Sequence, residues 1–168
     1  MIYEFCAENV TLLEKAMQAG ARRIELCDNL AVGGTTPSYG VTKAAVELAA
    51  NYDTTIMTMI RPRGGDFVYN DLEIAIMLED IRLTAQAGSQ GVVFGALTAD
   101  KKLDKPNLEK LITASKGMEI VFHMAFDELS DEDQLEAIDW LSQAGVTRIL
   151  TRAGVSGDSL EKRFAHYH

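Results

Sequence analysis

The chain has 168 residues, 47% hydrophobic and 24% charged, and its 16 basic against 25 acidic side chains leave a net charge of −9. This composition fits one soluble globular domain spanning 1–168; the acidic surplus repels a phosphate backbone and excludes nucleic acid as a partner. No apolar run approaches the roughly 18 residues needed to cross a bilayer, which excludes a membrane span.

Ile2 to Cys6 reads as a first strand, and Glu8 and Asn9 start a helix over Leu12, Leu13, Ala16 and Met17 that Gly20 stops. Met1 thus enters a strand pattern with no basic and apolar leader, so the expected compartment is the cytoplasm. Arg23 to Cys27 is a second strand, and the intervening helix makes the pair parallel. A long loop, Asp28 to Gly40, is punctuated by Gly33, Gly34 and Pro37; loops of that length are usually functional. A helix follows over Val41 to Ala50, and Thr55 to Arg61 is the third strand. Asn70 or Asp71 caps the next helix, expected to bury Leu72, Ile76, Leu78 or Met77, Ile81 and Ala85 before Gly88. Gly91 to Gly95 is the fourth strand, Asp104 with Pro106 opens a helix, and Glu119 to His123 is the fifth strand. Ser130 and Asp133 resemble a capping box for a helix ending near Gly145. Val146 to Thr151 is the sixth strand, and Asp158 to His168 reads as a final helix.

The third strand ends abruptly in R-P-R-G-G-D-F, Arg61 to Phe67. Guanidinium groups are rarely buried without partners, so fixed positive charge is needed there. Gly64 and Gly65 permit a sharp turn whose amides suit an anion. The bland alternative is a strand cap in which the arginines pair with Asp66 or Asp71.

Six alternating strand-helix units mean an α/β protein with a parallel sheet, either open or closed into a barrel. Period-two alternation puts Glu4 with Cys6, Arg23 with Glu25 and Cys27, Met57 with Met59 and Arg61, and Val121 with His123 on common faces. An open sheet buries both faces under helices, where such polar residues are costly. A TIM (β/α)8-type barrel accepts them in its lumen, with Glu4, Glu25, Arg61 and His123 expected in one pocket at one end. Eight units typically need about 250 residues, so about six are expected here, as part of a longer barrel.

These blocks resemble the CutC copper homeostasis family: E-F-C-A at Glu4 to Ala7, R-I-E-L-C at Arg23 to Cys27, G-G-T-T-P-S-Y-G at Gly33 to Gly40, R-P-R-G-G-D-F at Arg61 to Phe67, and F-H-M-A-F-D at Phe122 to Asp127. The resemblance implies a TIM barrel, a homodimer or higher homo-oligomer, and copper bound through cysteines that fall on Cys6 and Cys27. The family commonly has arginine after its histidine. Here Met124 stands there, and strand parity turns it away from the lumen.

E-x-C occurs twice, as Glu4 with Cys6 and Glu25 with Cys27, on strands expected to be neighbours about 4.8 Å apart. In the reducing compartment both cysteines, the only two in the chain, are expected as thiols. Two thiolates suit Cu(I); zinc wants three or four ligands, with His123 the obvious third. Against this, free cysteine often serves as a small buried hydrophobe. The rival is a barrel enzyme acting on a small phosphate or carboxylate metabolite. Its catalytic candidates are Glu25, His123 and Asp127, and Glu4, Arg61, Arg63 and Asp66 would bind the ligand. No nucleotide loop, nucleophile elbow or H-E-x-x-H helix fixes a reaction.

Overall fold

The computed structural model describes residues 1–152. The helix expected over Asp158 to His168 lies outside the described residues.

One six-stranded parallel sheet runs in chain order, β1 (Glu4–Glu8), β2 (Arg23–Cys27), β3 (Thr55–Met59), β4 (Gly91–Phe94), β5 (Glu119–Phe122) and β6 (Arg148–Ile149). Helices α1 (Leu13–Gln18), α2 (Tyr39–Ala49), α3 (Asp71–Ala87), α4 (Lys105–Ala114) and α5 (Asp131–Gln143) connect successive strands. Parallel strands require such crossovers, and unbroken sequential order curls the sheet into a half-barrel.

Alternation along the strands separates two faces. Outward, Ile24, Leu26 and Ile56 pack with Leu13, Met17, Ala45 and Ala49 of α1 and α2. Val92, Phe94, Ile120 and Phe122 meet Met77 and Ile81 of α3, Leu108 and Leu111 of α4, and Leu141 of α5. Burying each large apolar side chain contributes about 1.5–3 kcal/mol, so this helix-on-sheet layer is the main source of stability. Inward, Cys27, Met57, Met59, Val93 and Val121 form a separate lumenal cluster with Leu150 packed against it. The lumenal parity expected for β2, β3 and β5 is therefore observed.

Two boundaries differ from the sequence reading, with consequences. β1 starts at Glu4 rather than Ile2 and continues to Glu8, because its register against β2 pairs Glu4 with Arg23 and Glu8 with Cys27. Helix α1 consequently begins four residues later than Asn9, at Leu13. Helix α3 buries Ile74, Met77, Ile81 and Thr84, whereas Leu72 and Ile76 are exposed. The phase is set at its first turn. Asn70 accepts from the Glu73 backbone N–H at 2.9 Å, and Glu73 Oε2 accepts from the Asn70 N–H at 2.9 Å. This capping box starts the helix at Asp71, and the 3-4-3 spacing of positions 74, 77, 81 and 84 faces the sheet. At α5 the Ser130 side chain accepts from the Asp133 N–H at 3.2 Å, and Asp133 Oδ2 accepts from the Ser130 hydroxyl rather than from its backbone.

Asn70→Ala is expected to destabilise the protein by about 1 kcal/mol, since one helix-end donor loses its acceptor. Urea denaturation with an unchanged m-value checks this.

Candidate functional site

The β1–β2 register sets Cys6 beside Glu25 and Glu8 beside Cys27, so the two cysteines lie diagonally across adjacent strands. Glu25 bridges them: its Oε1 accepts from Cys6 Sγ at 3.6 Å and from Cys27 Sγ at 3.7 Å. One ligand atom from each of Cys6, Glu25 and Cys27 lies within 4.8 Å of the others. Glu25 and Cys27 are buried, while Cys6, on the first strand, is exposed. Burial, followed by the Glu4 charge, raises the Glu25 carboxyl above its ordinary range. Its hydrogen bond with Cys6, then burial and the Glu25 charge, push the Cys27 thiol up. Both shifts oppose ionisation of the two buried members of the set.

The long β2–α2 loop roofs this set. Asn9 Nδ2 donates to Asp28 Oδ1 at 3.1 Å, and Leu30 N–H donates to Glu8 Oε2 at 2.6 Å, anchoring the loop to the end of β1. Gly34, with φ +89°, lies directly over Cys27: a Cβ there would stand 3.0 Å from Cys27 Sγ and 3.3 Å from Cys27 Cβ.

The other expected site residues do not converge on one pocket. Glu4 shares the lumenal face but stands at the amino end of β1, where its carboxylate pairs with Arg23 at 3.6 Å. Starting the first strand two residues too early had moved Glu4 towards the opposite end. Arg61 is buried at the carboxyl end of the barrel, where Nη1 donates to the carbonyls of Val32 (2.8 Å) and Gly34 (3.0 Å) and Nη2 to that of Gly65 (2.8 Å). It is a tie between two loops rather than an open fork. Arg63 is the structural cap: its nitrogens bond Glu73, Asp66 Oδ1 (3.0 Å) and the carbonyls of Gly64, Asp66 and Val68. Every Arg63 nitrogen is engaged, and the acidic partners are Asp66 and Glu73, not Asp71. Asp66 is turned onto Arg63 in the same way.

His123 is fully buried and does not join the cysteines; the group that gathers there is Cys6, Glu25 and Cys27. His123 Nδ1 accepts from the Ala125 N–H at 3.2 Å, and the His123 ring meets Phe67 at 4.8 Å. Burial, then the Arg61 charge, lowers its pKa to about 3. Asp127 clamps the chain after β6, accepting from the Thr151 hydroxyl and from the Arg152 N–H at 2.9 Å. Met124 begins a 3-10 turn after β5, where strand parity no longer applies. It reaches the mouth, with Cε 3.5 Å from where a Gly33 Cβ would stand and Arg61 Nη1 3.4 Å from the same point.

A family model for CutC matches residues 1–163. The chain belongs to the CutC family. A CutC protein of Enterococcus faecalis is 54% identical over 166 residues, covering 99% of this chain and 79% of that one. One from Streptococcus pyogenes is 53% identical over 151 residues, covering 90% of this chain and 72% of that one. The crystal structure of a proposed copper homeostasis protein, CutC from Streptococcus agalactiae, superposes with a TM-score of 0.95 at 46% identity, over 99% of this chain and 79% of that chain. A phosphonomutase fold from Burkholderia cenocepacia, 17% identical with a TM-score of 0.67 over 90% of this chain and 62% of that one, shows the barrel architecture alone. The fold class and the copper homeostasis family inferred from the motifs are thus both found. No helix among the described residues is long and apolar enough to cross a membrane.

Sequence reasoning placed Glu25 among catalytic candidates and missed it as the carboxylate between the thiols. The repeated E-x-C carried that signal, but only the register shows which glutamate meets which cysteine.

Gly34→Ala is expected to destabilise the fold by about 1–3 kcal/mol, from the positive φ and the contact with Cys27; thermal unfolding measures it. A histidine with its folded pKa below the ordinary 6.5 binds fewer protons folded than unfolded. Stability is therefore full above pH 6.5 and falls as pH drops towards 3, by an amount on the order of 5 kcal/mol. His123→Asn should flatten that part of the stability–pH profile.

Proposed function

We propose that the chain binds Cu(I) through Cys6 and Cys27, with the Glu25 carboxylate beside them, as a copper homeostasis protein of the reducing cytoplasm. The observation that carries this reading is the convergence of two unpaired thiols and a carboxylate within 4.8 Å. Two metal–thiolate bonds of about 2.3 Å span at most about 4.6 Å, so one soft ion fits between the sulfurs with little rearrangement. Soft thiolates favour Cu(I), and the donor set falls short of the four ligands of a structural zinc site. Thiolate ligation requires loss of the thiol protons, so loading would release protons and weaken at low pH. The exposed Cys6 supplies the entry side and Cys27 the buried anchor. Family resemblance adds a homo-oligomer, which sedimentation would check.

Anaerobic titration of Cu(I) against a competing chelator tests the reading. Cys6→Ser and Cys27→Ser should each weaken binding by at least 100-fold, and the double variant should abolish it, with the fold retained by circular dichroism. Undiminished affinity in the double variant would falsify the assignment.

A further inference from the structure

A further sulfur stands beside the thiol pair, on the third strand. Period-two alternation puts Met57 and Met59 of β3 on the lumenal face, where both are buried in one cluster with Cys27. The β2–β3 register pairs Glu25 with Met57 and Leu26 with Thr58, so the next step along the ladder sets Met59 beside Cys27. The two thioethers go different ways. Met57 turns away from the thiols: its Sδ lies 2.6 Å from where a Gly91 Cβ would stand and 3.9 Å from Arg148 Nη2. Met59 turns instead to the Gly34 roof. Its Cε lies 3.6 Å from where a Gly34 Cβ would stand, and Cys27 Sγ lies 3.0 Å from that same point. Thiol and thioether thus meet under one backbone position, in the space that glycine leaves open there.

Soft thiolate and thioether donors select Cu(I), whereas carboxylates suit harder ions. Two thiolates around Cu(I) already leave one net negative charge in the lumen. A Glu25 carboxylate as third ligand would add another, and buried charge is costly; a thioether adds none. Methionine also has three rotatable bonds and a polarisable sulfur, so it can swing towards a neighbouring ion without moving its strand. We propose that Met59 Sδ is the third donor of the Cu(I) site, beside Cys6 Sγ and Cys27 Sγ, with Glu25 outside the coordination. This inference rests on the two-thiol reading above and extends it to a three-sulfur site. Zinc takes thiolate, imidazole and carboxylate ligands, so a thioether in the third place favours Cu(I) over zinc.

The test uses the whole protein, labelled with selenomethionine and loaded anaerobically with Cu(I). X-ray absorption at copper should show one selenium bonded to the metal together with two sulfurs. Met59→Leu, a change that nearly conserves volume, should remove the selenium and leave the two sulfurs. In competition with a chelator, Met59→Leu should weaken Cu(I) binding at least tenfold, while Met57→Leu should bind as the wild type does. The absence of a copper–selenium bond in the unsubstituted protein overturns the proposal, and that measurement needs no variant to fold. Undiminished affinity in a folded Met59→Leu protein overturns it too, as does selenium lost only with Met57→Leu. In each of these cases the two-thiol reading survives if the Cys6→Ser, Cys27→Ser double variant loses Cu(I). If the double variant keeps Cu(I), the two-thiol reading falls and the three-sulfur site falls with it.

Discussion

The carboxyl end of this barrel is organised by one buried guanidinium. Arg61 lies just past β3, and its terminal nitrogens bond the carbonyls of Val32 and Gly34 from the β2–α2 loop and Gly65 from its own turn. Its backbone continues the tie: Thr36 Oγ1 accepts from the Arg61 N–H at 2.8 Å, and the Arg61 carbonyl accepts from the Thr36 N–H at 2.9 Å. Hydrogen bonds to a charged donor contribute about 1.5–3 kcal/mol each, and losing the arginine would leave buried carbonyls without donors. A lysine offers a point charge and no planar fork, so it could not reach all three carbonyls at once. Two loops with little secondary structure therefore keep one conformation through a single side chain.

That tie reaches the thiols through Gly34. Its carbonyl is held by Arg61, its φ of +89° excludes most side chains, and its Cα lies close over Cys27. The position of the loop fixes how much room Cys27 has. Arg63 does the complementary task outside, joining the turn at Gly64–Val68 to the Glu73 carboxylate that caps α3. The two arginines of one motif thus serve different loops. At the amino end of the lumen the charges are instead paired across strands, Glu4 with Arg23 and Glu119 with Arg148, and Met57 lies beneath the latter, with its sulfur 3.9 Å from Arg148 Nη2. The apolar layer of Met57, Met59, Val93 and Val121 lies on the same lumenal face.

The fold was legible because its signals are periodic. Alternating strands and helices with glycine stops at Gly20, Gly88 and Gly145, each at positive φ, require nothing beyond local chemistry to read. Face assignment for β2, β3 and β5 followed from period two. What failed depended on register and phase. The first strand was placed two residues early, since Ile2 and Tyr3 are as strand-like as Phe5 and Ala7, and only pairing with β2 shows where the ladder begins. That shift misplaced Glu4 and hid the partnership of Glu25 with Cys6. Leu72 and Ile76 were expected inside α3 because apolar residues occur on both its faces, and the cap at Asn70 decides which face turns inward. Met124 and Asp127 lie in a 3-10 turn, where neither period applies. The engagement of Arg63 by Glu73, ten residues on, also could not be read from composition, because Asp66, Asp71 and Glu73 are all within reach of a flexible side chain.

The thiol set and the arginine set also differ in how they can hold charge. Arg61 carries its charge permanently, and three carbonyl dipoles surround it at fixed distances. Cys27 and Glu25, by contrast, are pushed towards their protonated forms, Glu25 by burial and the Glu4 charge, Cys27 by its hydrogen bond with Cys6, by burial and by the Glu25 charge. Both shifts oppose ionisation, so a cation that replaces these protons must supply more of the energy of ionisation than it would at an exposed site. Soft cations that bind thiolate strongly can do this, whereas weakly bound hard cations cannot offset it. On the copper reading, selectivity thus follows from the burial of Cys27 and Glu25 as much as from the sulfur atoms. The Gly34 roof, held by Arg61, maintains that burial.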